Sequence, residues 1–292
     1  MATATTVRSR RASRTKLWGV LLLPPTIWML VFFISSIALI VALSFGVTGS
    51  DGLPRFSNTL TNYDAILNET YFRVMLRSLV YAIITVILCL VIGYPVAYAI
   101  ALHGGRFKYV LIAAIVMPFF ASYLVRMYAW TTLLSDEGVV NSVLKALGLS
   151  DGIQFLNTPY AVIIGLVYGF VVFMILPIYA SLERMDTALI EAGKDLYHGP
   201  FRTFMHVTVP ATKVGMLGGV LLVFLPATGD FVSAQLLGGP NTYMIGNFIN
   251  DQFTNGGYPP FGAALTIVLM ALLSLLMVFY LRSASSTSEP AA

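Results

Sequence analysis

The chain has 292 residues, of which 58% are hydrophobic and 10% charged, and its formal charge is +4. Soluble globular domains hold about 45–50% apolar and about 25% charged residues, so this composition excludes a soluble single-core protein and asks for a bilayer as solvent. The single cysteine, Cys89, excludes an internal disulfide and reads as a packing residue. The cations gather at the ends of apolar runs, as membrane-orientation signals do, which argues against a nucleic-acid partner.

Residues 1–16 carry Arg8, Arg10, Arg11, Arg14 and Lys16 with no acid among them, the composition of a disordered basic arm. The apolar stretch from Leu17 to Phe45 is roughly twice as long as a secretory signal core, which spans about 7–15 residues. It reads as a retained first span, and Pro24-Pro25 is expected to bend or restart it. Crossing about 30 Å of hydrocarbon takes about 20 helical residues at about 1.5 Å each. Five more stretches reach that length. They are Leu79–Leu102, then Tyr109–Leu134 with Pro118 and Arg126, Ala161–Leu182 with Pro177, Val214–Leu237 with Pro226 and Asp230, and Gly262–Leu281.

Lys and Arg counts set the orientation. With the N-terminus inside, the inner segments hold twelve: the five of the arm, Arg106, Lys108, Arg184, Lys194, Arg202, Lys213 and Arg282. The outer loops hold four: Arg55, Arg73, Arg77 and Lys145. The expected organisation is an arm (1–16), an all-α bundle of six spans (17–282) and a tail (283–292), with both termini cytoplasmic.

Among the loops, 46–78 is long and polar, with a surface helix expected over Asn62–Arg77. Loop 135–158 holds Asp136, Glu137 and Gly138, then an amphipathic piece from Val139 to Leu147 ended by Gly148. Loop 238–261 is rich in Gly, Asn and Pro. The spacings Gly165-x-x-x-Gly169 and Gly215-x-x-x-Gly219 allow close helix contacts.

The inner loop 183–213 is the most charged stretch of the body and reads as two short helices. Asp186 or Thr187 caps the first, and Glu191 lies near its positive end. Leu189, Ala192, Gly193 and Leu196 fall on one face, and Gly199-Pro200 stops the helix. A second helix through Phe201, Phe204 and Val207 ends before Pro210. The plain reading is an amphipathic loop on the headgroups; the sharper one is a knob whose small residues let another backbone approach.

Glu191-Ala192-Gly193, followed at the right spacing by Val207-Thr208-Val209-Pro210, resembles the EAA loop of permease subunits of ATP-binding-cassette importers. That pattern is Glu-Ala-Ala, three residues, Gly, nine residues, Ile-x-Leu-Pro. Gly193 replaces the second Ala, and Tyr197 stands where the family has Gly, with Gly199 available to supply the turn. The resemblance implies that Glu191, Ala192, Gly193, Asp195, Leu196, Tyr197, Gly199 and Pro210 couple the chain to a cytoplasmic ATPase.

Two ionisable residues lie at membrane depth, where a charge costs at least about 2.5–3.5 kcal/mol. The run Met117–Trp130 around Arg126 is similar to the third segment of polyamine-type permeases. Arg126 either snorkels or pairs with a helix end, or it lines the pathway. The run from Pro226 to Gly246, with Gly229-Asp230-Phe231-Val232, Leu236-Leu-Gly-Gly-Pro240 and Met244-Ile-Gly246, resembles the fifth segment and following loop of the same permeases. Pro226 and Gly229 weaken the helix before Asp230 and free carbonyls that must face a cavity or protein. Asp230 then suits a cationic substrate, or forms an ion pair with Arg126. Tyr123, Tyr128, Trp130, Tyr168 and Phe231 offer faces to an ammonium group.

No P-loop, zinc-spaced cluster or catalytic triad pattern is present, and His103, His198 and His206 are scattered at cytoplasmic ends. The resemblance therefore implies the type I importer permease fold, with no catalytic residue, metal or cofactor of its own and ATP bound by a separate ATPase dimer. It implies a second, similar but distinct permease subunit, an extracytoplasmic substrate-binding protein, contact with membrane lipid, and a small cationic solute of the polyamine type in the inner membrane. Related permeases carry amino acids, opines or phosphonates. An autonomous secondary transporter would show inverted repeats, and none is evident.

Overall fold

The computed structural model describes residues 5–49, 53–67, 69–148, 152–197, 199–254 and 257–285, with side chains described between Leu21 and Arg282. Residues 1–4 of the expected arm, His198 and residues 286–292 of the expected tail lie outside them. The chain divides into two compact units, Met1–Ala65 with Tyr258–Val268, and Ile66–Gly257 with Leu269–Ala292.

In the first unit α1 spans Thr5–Ser44. It starts inside the stretch expected to be a disordered arm, because adding residues to a nucleated helix costs little. It also runs through Pro24 and Pro25 without restarting. A two-stranded antiparallel ribbon, β1 (Val47–Thr48) and β2 (Pro54–Arg55), follows, then α2 (Thr61–Ile66). The Asn62 amide donates to the carbonyls of Ser44 and Gly46, each at 2.9 Å, and the Tyr63 and Ser44 hydroxyls are 2.7 Å apart. The two amide bonds satisfy carbonyls at and just past the end of α1.

The second unit begins with α3 (Glu69–Tyr98), which continues into a wide π turn, Ala99–His103. The surface helix expected over 62–77 is thus two pieces, α2 and the first turns of α3. Then come α4 (Lys108–Val116), α5 (Tyr123–Leu134), α6 (Val139–Ala146) and α7 (Pro159–Glu183). Thr158 caps α7, its hydroxyl oxygen accepting from the Ala161 amide, and Pro159 fills the first position, where no N–H is needed. The amphipathic piece after Gly138 forms as expected, and Gly148, at φ +66°, ends it.

The inner loop gives α8 (Thr187–Tyr197), α9 (Pro200–Thr203), a second π turn (Phe204–Thr208) and α10 (Val209–Ala211). Beyond lie α11 (Lys213–Gly229), α12 (Val232–Leu237) and α13 (Ile245–Thr254), and α14 (Pro259–Ser285) starts in the first unit and continues in the second.

The core of this unit is the triplet α3, α7 and α11, which pack on one another through Ala82, Cys89, Ala97, Leu166, Met174, Ile178, Val223 and Ala227. The spaced glycines act as expected. A Cβ on Gly219 would meet Met174 Sδ at 2.7 Å, and one on Gly215 would meet the Pro177 carbonyl at 2.5 Å. Gly165 faces Leu237, and Gly169 faces the Tyr123 ring.

Among the described residues four helices are long and apolar enough to cross a membrane, or up to six if each of two bent pairs is one span. The third apolar stretch is not one helix. Pro118 opens a 3₁₀ turn, Met117–Phe120, after which Ala121 and Ser122 are extended. The two halves meet at 92°. The fifth ends at Gly229, short of the expected Leu237, and restarts at Val232. A second bend, 68°, separates Pro200–Ala211 from Lys213–Gly229.

Candidate functional site

Two places gather the residues singled out from the sequence. The first is the hairpin 187–211. Asp186 caps α8, its Oδ1 accepting from the Ala188 amide at 2.9 Å. Ile190 and Gly193 are buried on its inner side. A Cβ on Gly193 would lie 2.8 Å from Val207 Cγ2 and 2.9 Å from Thr203 Cγ2, so this glycine closes the hairpin on itself instead of facing outward. Glu191, Ala192, Asp195 and Leu196 are exposed on the other side, Leu196 at 69%, with Phe201 beyond them at 70%. The four-residue face expected from spacing is therefore split: Leu189, Ala192 and Leu196 outward, Gly193 inward.

Tyr197 does not disrupt the turn, for its ring stacks on His206 at 5.0 Å. Gly199 is extended, at φ 177°, a conformation open to any residue, so the turn places no demand on glycine there. The second arm does not stop before Pro210 but continues to Ala211. The π turn before it alters the hydrogen-bond ladder that a proline would otherwise break. Lys108 and Glu183 pair at 2.7 Å, joining the start of α4 to the end of α7.

The second place is the break after Gly229. Asp230 is only 7% exposed. Its Oδ1 accepts from the Ser233 amide at 2.9 Å, and its Oδ2 from the Ser233 hydroxyl at 3.0 Å and from the Tyr123 hydroxyl. Asp230 thereby caps α12, and each of these partners is neutral. Beside it opens a cleft of about 280 Å³ lined by Tyr123, Phe170, Pro226, Gly229, Asp230, Phe231 and Val232. A carboxylate without a countercharge, with aromatic rings around it, suits a cation.

Arg126 is not the partner of Asp230. Its guanidinium lies 4.4 Å from the Phe119 ring centroid, 5.4 Å from that of Tyr123 and 6.0 Å from that of Tyr168. Its Nε and Nη1 are buried with no hydrogen-bond partner among the described residues. The expected ion pair is replaced by a bridge, with Tyr123 offering its ring to Arg126 and its hydroxyl to Asp230. Trp130 packs edge-on to Tyr168 at 5.3 Å, and Tyr128 is exposed, so neither lines the cleft.

In the sequence Arg77 reads only as an outer-loop charge. It stands in α3 and donates through Nη1 and Nη2 to the carbonyls of Asn241 and Tyr243, while the Ser78 hydroxyl accepts from the Ile245 amide at 2.7 Å. Together they hold the loop that follows α12. The helix α13 inside that loop is also missing from the sequence reading, although Ile245, Phe248, Ile249 and Phe253 stand at helical spacing.

Residues 20–286 match the family of binding-protein-dependent transport system inner membrane components. The chain is 38% identical over 257 residues to the spermidine/putrescine transport system permease protein PotB of Haemophilus influenzae, covering 88% of this chain and 90% of that protein. Its identity to PotB of Escherichia coli is also 38%, covering 88% and 94%. It superposes on the crystal structure of a bacterial ABC transporter involved in the import of the acidic polysaccharide alginate with a TM-score of 0.78 at 18% identity, covering 96% of this chain and 99% of that one.

Proposed function

The chain belongs to the binding-protein-dependent transport system inner membrane components, and on that premise we propose that it is the permease subunit through which spermidine and putrescine cross the inner membrane. The observation that carries the substrate class is the Asp230 cleft, where an uncompensated carboxylate meets Tyr123, Phe170 and Phe231. Relatives at 38% identity are named for those two solutes. Each solute carries ammonium groups that such a cleft attracts. The six-span reading, with both termini cytoplasmic, lets each bent pair cross the membrane once, with Pro200–Ala211 beneath the bilayer as part of the hairpin.

The chain supplies no ATPase of its own in this reading. A cytoplasmic ATPase dimer grips the outward face of the hairpin, where Glu191, Ala192, Asp195 and Leu196 are exposed. A second, similar permease subunit completes the pathway, and a binding protein delivers the solute from outside. ATP binding shifts the pair between inward- and outward-open arrangements only because the ATPase grips the two states unequally. Phe231 lines the entry to Asp230, and Arg126 guards it from behind Tyr123.

The test is uptake by the reconstituted importer. Asp230→Asn keeps the acceptor for Ser233 but removes the charge. It is expected to lower spermidine uptake by about tenfold or more, from a charge-assisted contact of about 1.5–3 kcal/mol, with normal assembly. In the same assay Glu191→Ala is expected to weaken ATPase co-purification. Full uptake by Asp230→Asn removes that carboxylate from the pathway.

A further inference from the structure

The hairpin is tied to a helix it does not adjoin in sequence. Phe204, at the start of the π turn, is met edge-on by two rings of α3, Tyr94 at 5.2 Å and 88° and Tyr98 at 5.6 Å and 83°. Residues four apart on a helix share a face, so the two tyrosines clasp the phenyl ring together. The Tyr94 hydroxyl also lies 2.8 Å from that of Thr212, and both residues are buried. Thr212 is the residue at the 68° bend between the hairpin and α11, and it donates back to the Thr208 carbonyl at 2.9 Å. Both elements carry a π turn at the contact, Ala99–His103 after Tyr98 and Phe204–Thr208 from Phe204 itself. Such turns are rare and concentrate at functional sites.

The chain itself carries a displacement of the hairpin into α7 on one side and α11 on the other. It carries none into α3, although α3, α7 and α11 form one close-packed core. Interiors packed at crystal-like density transmit strain, and a push that reached only two of the three helices would shear them past the third. We propose that Phe204, Tyr94 and Tyr98 are positioning residues that pass the hairpin's movement to α3, so that the core triplet moves together when the ATPase pulls. This rests on the reading of the hairpin as an ATPase dock.

The experiment uses the complete importer in liposomes with its binding protein and spermidine. It reads ATPase co-purification, ATP hydrolysis, and spermidine taken up per ATP hydrolysed. Phe204→Leu and Tyr98→Leu keep apolar bulk and remove the edge-on geometry. Each is expected to retain the ATPase and hydrolysis within about twofold, while uptake per ATP falls about fivefold, the scale of one lost aromatic pair. Tyr98→Phe, which keeps the ring, restores the wild-type ratio.

An unchanged ratio in both leucine variants overturns the proposal. So does a parallel fall in co-purification, hydrolysis and uptake, which marks lost docking instead of lost transmission. Should Phe204→Leu fail to assemble, Tyr98→Leu, at a half-buried position on the other side of the same contact, decides the question alone. Leu196→Asp, on the outward face, tests the dock separately: it releases the ATPase if the dock is there, and retention defeats that reading whatever the clasp does.

Discussion

Gly193 shows how one residue carries two demands. Its position in the motif suggests a small surface for another protein, yet its missing side chain is filled by Val207 and Thr203 of the second arm. Both neighbours are β-branched and stiff at χ1, so neither yields easily to an added group. Gly193→Val is expected to splay the hairpin at an overpacking cost of about 1–3 kcal/mol. It should lower the thermal midpoint of the solubilised subunit and weaken ATPase co-purification together. Alanine is a poorer probe, because its helix propensity gain of about 1 kcal/mol opposes the clash. A wild-type midpoint for Gly193→Val would place slack between the two arms that these distances do not show. Tyr123 carries two demands as well. In the sequence it is one aromatic face among five, and only the fold brings its hydroxyl to Asp230 and its ring to Arg126.

At the scale of elements, apolar length makes the spans legible and hides their breaks. The fourth and sixth stretches emerge close to their expected bounds, and the second ends where expected but starts earlier, at Glu69 instead of Leu79, because a continuous apolar run has no cheaper structure in a bilayer than a helix. Hydropathy says nothing about direction, so the 92° turn at Ala121-Ser122 leaves no trace in it. The break at Asp230 is half visible, since Pro226 and Gly229 weaken a helix. What fixes it is tertiary: the Tyr123 hydroxyl donates to Asp230, the Asn247 side-chain amide donates to the Phe231 carbonyl at 2.8 Å, and the Gly246 backbone sits against Gly229. The loop after α12 is held the same way, by Arg77 and Ser78 of α3. Arg77→Gln removes the charged donors and leaves the Ser78 bond. It is expected to loosen the loop locally by about 1.5–3 kcal/mol, the worth of hydrogen bonds to a charged group. Amide exchange at Met244–Gly246 should quicken while that of α7 stays as it was. Equal rates in the variant and the parent would show that Ser78 alone suffices.

For the whole molecule, the sidedness rests on charge. Twelve cations on one side against four on the other orient the chain only if each bent pair crosses the membrane once. If the first pair were instead a re-entrant loop, the parity would change: α7 alone separates Lys145 from Arg202, so Lys145 would move inside and Arg202 outside. Both residues are exposed, and Cys89 is fully buried, so introduced thiols can be read against a silent background. Lys145→Cys is expected to react with a membrane-impermeant maleimide in intact spheroplasts. Arg202→Cys should react only after the membrane is opened. The reverse pattern, Arg202→Cys labelled from outside and Lys145→Cys only after opening, would return the count to five, place one terminus outside, and detach the hairpin's face from any cytoplasmic ATPase.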